Sequence, residues 1–377
     1  MVELADLVFV LAVAADILIQ IEQPGPVHVD FRAFWGAARL LLERNPSAAF
    51  EQAELARAGG FAEERWLPWV YAPGFMLLLA PFGLLPFIPA WLLFNAVSVA
   101  ALALALRPFI GPARIGATAF LFAPALLPCL LLGQNSILWL AACLFAFSSL
   151  RDGRQVLAGV GLGIMTLKPQ LGVMIPFALL GLGAWRAIAA ATVTTVLVAG
   201  LPTLVVGAAY WQAFQRALEI QGDFMVNADL FAGMVSVYST LIVYGVPASA
   251  AMAVQISVAA IMTVAIRWVW SRRHVSFDLK LALMFCTMSL APPYFWFYDA
   301  AALALAALFF LRSGIAAQNV FTTVIFTLLW LGATPALFVL IVADIPWLEA
   351  RHVVVPVLIA ALALCFRQVF RTPNRRA

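Results

Sequence analysis

Charge is scarce in this chain. Only 11% of its 377 residues are Asp, Glu, Lys or Arg, against about a quarter in an ordinary soluble domain, while 65% are hydrophobic. With a mean hydropathy of +1.01, that shortage excludes a soluble globular fold and points to an integral membrane protein. Lysine occurs twice, at Lys168 and Lys280, and the three histidines have no partner at metal-ligand spacing. The four cysteines, Cys129, Cys143, Cys286 and Cys365, stand apart in apolar stretches without a CxxC pair. This argues against a disulfide framework or a zinc site, and neither a metal nor a cofactor is expected. The net charge of +4 comes mostly from arginines in short loops, which read as topology signals rather than as a nucleic-acid surface.

Long apolar runs are what the chain does have. Spans of about 20 apolar residues read as transmembrane helices. A β-barrel would need strands alternating apolar and polar residues; the run Ala101–Leu106 alternates only Ala with Leu, so no lumen face is left. The first apolar segment, 4–21, carries Glu3 and Asp6 nearby but no basic residue and no small-residue cleavage site, and reads as an uncleaved helix. Residues 22–88 form the first outer loop, of mixed composition over 22–67. Within it Phe31–Leu42 is amphipathic, with Phe31, Phe34, Trp35, Ala38 and Leu42 at helical spacing, and is expected along the membrane surface. Gln52–Arg57 is a second short helix, and Gly59-Gly60 a break before Trp66.

Residues 74–88 are apolar but interrupted by Pro81 and Pro86. If they do not cross, and 89–106 is the second span, the arginines at 107, 114, 151, 154, 186, 272, 273, 312 and 367–376 all face the cytoplasm. Further spans follow at 115–132, 136–150, 156–167, 171–184, 188–206, 247–270, 279–292, 298–312, 318–342 and 352–368. The expectation is one all-α polytopic membrane domain over 1–377, a bundle of about 12 transmembrane helices with both termini inside.

That topology gathers four polar motifs on the outer side: the Asp30 stretch, Gly133-Gln-Asn-Ser136, Lys168-Pro-Gln170 and Pro292-Pro-Tyr-Phe-Trp-Phe-Tyr-Asp299. An outer loop, 207–235, adds Trp211, Asp223, Asn227 and Asp229. Lys168 lies between apolar segments, where charge is costly and tends to serve function, although a snorkelling lysine would look the same. Gln134 and Asn135 suit a site or a turn. Tyr294, Trp296 and Tyr298 suit a cavity or an interfacial aromatic belt. Asp299 is harder to explain as anchoring. Arg32 and Trp35 read first as surface anchors and only then as cavity residues.

A carboxylate, a cation, amides and aromatics on an outer face fit glycosyl transfer from a lipid-phosphate sugar. The carboxylate takes the proton of an attacking hydroxyl, and a cation stabilises the departing phosphate. The stretch Asp30-Phe-Arg-Ala-Phe-Trp-Gly-Ala-Ala38, Tyr71-Ala-Pro73 with Pro81 and Leu85-Pro86, Gly133-Gln-Asn135, and Ala158-Gly159 leading to Lys168-Pro169 resemble glycosyltransferase family 87 over about residues 28–300. These are polyprenyl-phosphate-mannose-dependent α-mannosyltransferases of the GT-C superfamily. The resemblance implies an inverting enzyme with juxtamembrane helices in its first outer loop and a catalytic aspartate there, matching Asp30. Tyr71-Ala-Pro73 departs from the Tyr-Pro-Pro often found in the family.

The reading that follows has Asp30 as base, Lys168, Gln134, Asn135 and Gln170 binding the donor, and Arg32, Trp35, Tyr71, Tyr294, Tyr298 and Asp299 lining the cavity. Its partners are a polyprenyl-phosphate sugar donor, a glycolipid or glycan acceptor and membrane lipids, without nucleic acid, at the outer face of a bacterial inner (plasma) membrane. A secondary transporter or lipid flippase is the alternative, one that usually shows repeats and midplane sites. A non-catalytic assembly factor is a third.

Overall fold

The computed structural model describes residues 29–63, 67–110, 114–165, 168–227, 233–334 and 350–371. The first apolar segment, His28, Trp66, Asp229, the arginines past residue 371 and the later part of the 318–342 span lie outside them, as do the side chains of Asp223 and Asn227. The helices are α1 (Phe31–Leu42), α2 (Gln52–Gly59), α3 (Pro73–Gly83), α4 (Phe87–Ile110), α5 (Arg114–Leu121), α6 (Leu127–Leu132), α7 (Ser136–Arg151), α8 (Gln155–Ile164) and α9 (Pro169–Gly172). Then come α10 (Ile175–Leu182), α11 (Trp185–Val206), α12 (Ala209–Asn227), α13 (Val237–Val243), α14 (Ala248–Ser271), α15 (Phe277–Leu290), α16 (Ala302–Arg312), α17 (Val320–Leu331) and α18 (Ala350–Arg371). There is no strand among the described residues; one isolated bridge joins Met234 to Trp296.

Among the described residues four helices, α4, α11, α14 and α18, are long and apolar enough to cross a membrane by length and composition. The protein is an all-α membrane protein. Two expected spans are broken by proline, whose ring displaces a helical hydrogen bond. Residues 115–132 divide into α5, a 3-10 turn at Pro124–Leu126, and α6; residues 171–184 divide between the end of α9 and α10, which has Pro176 in its first turn. The segment expected as an outer loop at 207–235 contains the 19-residue helix α12.

The N-terminal helices form a layer of their own. Phe31, Phe34, Ala37 and Ala38 bury one stripe of α1. α1 crosses α2 so closely that a Cβ on Gly36 would lie 2.9 Å from the Gly59 nitrogen. α3, 11 residues and about 16 Å long, is half the thickness of a hydrocarbon core and packs along α1. In the main body, α8 lies against α11 through Gly159 and Gly163, four residues apart. A Cβ on either would collide with Ala187 or Thr194, so small residues let the two backbones approach. α15 and α16 are buried almost throughout, with Phe285 stacked on Phe309 at 5.7 Å.

α4 orients the bundle. At its start Phe87 meets Phe31, 6.1 Å between ring centroids. At its end Phe109 lies under Arg151, and Arg312 donates to its carbonyl. Arg154 pairs with Asp152 and Arg312 with Asp278 at this second end. Arginines 151, 154 and 312, sided together from the sequence, do gather there.

Candidate active site

The site lies at the first end, where α1 begins. Asp30 is the residue before α1, and the Gln134 carboxamide donates to its Oδ2 at 2.8 Å across 104 residues of chain. Gly133 makes this contact possible. Its backbone is left-handed (φ +66°), closing α6, and a Cβ there would lie 2.6 Å from the Phe31 Cβ and 2.7 Å from the Trp91 ring. Only glycine satisfies both demands. The α6–α7 turn therefore presses on the start of α1, and the next residue reaches Asp30.

The same turn reaches a second carboxylate. Ser136, first in α7, donates its hydroxyl to Asp299 Oδ1 at 2.5 Å. Lys168, just before α9, donates to that oxygen at 2.5 Å and to Ser136 Oγ at 2.9 Å. Both ions are shut from solvent, with 3% and 0% of their side-chain surface exposed. An isolated ion at such a place is prohibitively costly, so each requires the other. Lys168 also sits 5.0 Å above the Tyr298 ring, a cation–π contact. The Asp299 segment is pinned by the Val235 N–H to the Phe295 carbonyl (2.7 Å) and by the Phe297 N–H to the Gly233 carbonyl (2.9 Å).

Tyr71 joins the two halves. Its hydroxyl is hydrogen-bonded to the Asn135 side chain, and its low-polarity surroundings, then the charges of Asp299 and Asp30, hold its pKa far above the ordinary tyrosine value. Tyr71 is fixed from behind by Tyr210 of α12, whose hydroxyl donates to the Tyr71 carbonyl at 2.9 Å and accepts from the Trp69 indole at 2.7 Å.

Asp30, Tyr71, Gln134, Asn135, Lys168, Tyr298 and Asp299 are thus brought together. Four other residues are not. Arg32 donates to the Gly59 and Gly60 carbonyls (3.1 Å each) and covers the Phe87 ring; Trp35 donates to the Leu85 carbonyl at 3.0 Å. These contacts tie α1 to its neighbours, the anchoring role. Gln170 is exposed on α9, and Tyr294 packs its ring on Tyr238. Ser136 and Tyr210 were not singled out from the sequence as site residues. Ser136 follows Gln134 and Asn135 directly, which is the signal that would have found it.

An apolar cavity of about 440 Å³ opens on the cluster. Asn135 and Lys168 stand at its polar end, and Leu78, Leu104, Leu138, Phe145 and Ile164 line it between α3, α4, α7 and α8. From Asn135 to Phe145 it follows α7 for about 15 Å. Among the described residues no group of three His, Cys, Asp or Glu side chains suits a metal ion.

A cation, two carboxylates and amides at the mouth of a greasy channel suit an amphiphile with an anionic polar head. Comparison with known proteins places the chain in a family. Two alpha-(1→3)-arabinofuranosyltransferases, from two strains of Mycobacterium tuberculosis, are each 33% identical over 150 residues, 36% of this chain and 34% of theirs. The chain spans about a third of the length of these curated relatives. No solved structure matches. The model of glycosyltransferase family 87 matches residues 69–293, well over half of the chain, including Tyr71, Gln134, Asn135 and Lys168. The chain belongs to glycosyltransferase family 87.

Proposed function

We propose that this enzyme transfers a glycosyl group, mannosyl by its sequence resemblance, from a polyprenyl-phosphate donor to a hydroxyl of a glycolipid or glycan. The observation that carries the reading is the buried Lys168, which with Asn135 forms the polar end of the apolar cavity, while Gln134, next to Asn135, holds Asp30. The prenyl chain lies in the cavity and leaves the phosphate at Lys168. Two of the ammonium's three hydrogens go to Ser136 and Asp299, and the third serves the phosphate. Asp30 takes the proton from the acceptor hydroxyl as its oxygen attacks the anomeric carbon. The bond from that carbon to the phosphate oxygen breaks, and its electron pair leaves with the phosphate, whose growing charge Lys168 offsets. A single displacement inverts the anomeric centre.

Gln134 orients the Asp30 carboxylate, Tyr71 and Tyr298 wall the sugar site, and Arg32 with Trp35 keep α1 in place. The reaction runs on the outer face of the plasma membrane, because the arginines mark the opposite end of the bundle as cytoplasmic. The test is transfer by the full-length protein in liposomes, with radiolabelled polyprenyl-phosphoryl mannose and a glycolipid acceptor. Asp30→Asn is expected to lower kcat by about 10²- to 10⁴-fold with donor binding retained. Full transfer by that variant removes Asp30 as the base.

A further inference from the structure

We infer that the arginine end of the bundle binds an anionic phospholipid, its phosphate held between the ends of α14 and α18 and an acyl chain laid along α14. The inference stands apart from the glycosyl-transfer reading. Arg267 lies near the end of α14, and Arg272 and Arg273 directly follow that helix. Arg367 and Arg371 fall four residues apart, on one face, at the end of α18. The two helix ends meet through aromatic rings. Trp268 packs on Phe370 at 5.6 Å between centroids, and the Arg272 guanidinium lies 4.8 Å from the centre of the same Trp268 ring.

Positive charge is left over here. The described carboxylates at this end are Asp152, taken by Arg151 and Arg154, and Asp278, taken by Arg312. None of the five arginines of α14 and α18 has a carboxylate partner among the described residues. Arg272 also has its Nε enclosed without a hydrogen-bond partner, and a buried donor left unmade is costly, so it points to an acceptor. A phosphodiester supplies one negative charge and oxygens that accept from guanidinium groups. The surroundings select a lipid over a free anion. Ile261 and Val264 lie seven and four residues before Trp268, on its face of α14, and are 62% and 70% exposed. They form an apolar track that leads away from the arginines and suits an acyl chain. A free phosphate leaves that track bare, and a zwitterionic lipid brings a cation of its own against the guanidinium groups. An anionic phospholipid answers both, as at other basic pockets between transmembrane helices. Topology alone asks only for arginines on one side of the membrane, not for their convergence on a ring pair with an enclosed donor.

The test titrates the detergent-solubilised full-length protein with phosphatidylglycerol or with phosphatidylcholine of identical acyl chains, and follows bound lipid by native mass spectrometry. Phosphatidylglycerol is expected to bind saturably and at least about tenfold tighter than phosphatidylcholine, the order set by one or two arginines at a membrane surface. Arg272→Gln with Arg273→Gln, and separately Arg367→Gln with Arg371→Gln, are expected to bring that preference down to about twofold or less. Arg151→Gln with Arg154→Gln removes the same charge at the same end and is expected to leave the preference intact. The readout is a ratio between two lipids, so a general loss of affinity in a weakened variant does not imitate it. Equal binding of the two lipids by the unaltered protein overturns the site. An equal loss in the Arg151 and Arg154 control makes the effect one of net charge and overturns it too. Displacement of the lipid by excess inorganic phosphate shows a free-anion site and overturns the choice of occupant.

Discussion

The two ends of the bundle use the same chemical pairing under opposite conditions. At the arginine end, Arg154 meets Asp152 at 2.6 Å and Arg312 meets Asp278 at 3.0 Å, all with a quarter or more of their side chains in solvent except Asp278 at 24%. At the other end Lys168 meets Asp299 at 2.5 Å with neither accessible. Exposed pairs contribute little and are screened by salt. A buried pair is no better for stability than well-packed apolar side chains of the same size, yet breaking it by half is severe. Charge at the arginine end therefore adds little to stability. Charge at the site end is kept against its cost, which is the pattern of a working site.

The largest effect should come from removing one half of the buried pair. Lys168→Met leaves Asp299 charged and enclosed, and is expected to destabilise the protein by about 3–5 kcal/mol. The double variant Lys168→Met, Asp299→Leu should recover most of that stability while transferring no sugar. Denaturation of the detergent-solubilised protein, run beside the liposome assay, separates the two quantities. A double variant that still transfers at the native rate would make the buried pair a packing feature like any other and erase the contrast between the ends.

Helix α7 offers a second comparison, because a left-handed glycine flanks it at each end. Gly133 (φ +66°) presses on Phe31 and Trp91, whereas Gly153 (φ +76°) has nothing within 4 Å of where a Cβ would stand. Gly153→Ala should cost only backbone strain, about 1–2 kcal/mol, with transfer per folded molecule unchanged. Gly133→Ala should add overpacking of about 1–3 kcal/mol and, by pushing Gln134 away from Asp30, lower transfer by at least an order of magnitude. Equal activities for the two folded variants would show that the Gln134–Asp30 contact does not matter to turnover.

Much of the candidate site was legible because polar residues are so rare here. Gln134, Asn135, Lys168 and Asp299 each interrupt apolar sequence, Asp30 opens the first hydrophilic stretch, and the arginines alone sided them together. Gln170 shared that interruption with Lys168, but residues two apart do not face the same way at a helix start, and it points to solvent. Tyr210 was invisible, since its partners Trp69 and Tyr71 lie 141 and 139 residues away. The amphipathic period of α1 matched its observed bounds, whereas the spans at 115–132 and 171–184 read as continuous because hydropathy averages over prolines that the backbone cannot ignore.

The smallest effect belongs to the exposed pairing at Asp152, and its sign is fixed by its protons. The hydrogen bond from Arg154 leads in holding the Asp152 pKa below its ordinary value of 3.8, with the charges of Arg151 and Arg154 adding to it. A depressed carboxylate binds its proton later in the folded protein than in the unfolded chain, so its contribution is complete above the unfolded value and vanishes as pH falls through the folded one. Asp152→Asn should therefore lower the unfolding midpoint slightly at pH 7, less in high salt, and progressively less as pH falls below the ordinary carboxylate value. Transfer should be unaffected, since the pair stands at the far end of α7 from Asn135. If the variant instead lost transfer at neutral pH while its midpoint held, charge at the arginine end would be acting on the site through α7, and the two ends would have to be treated as one coupled unit.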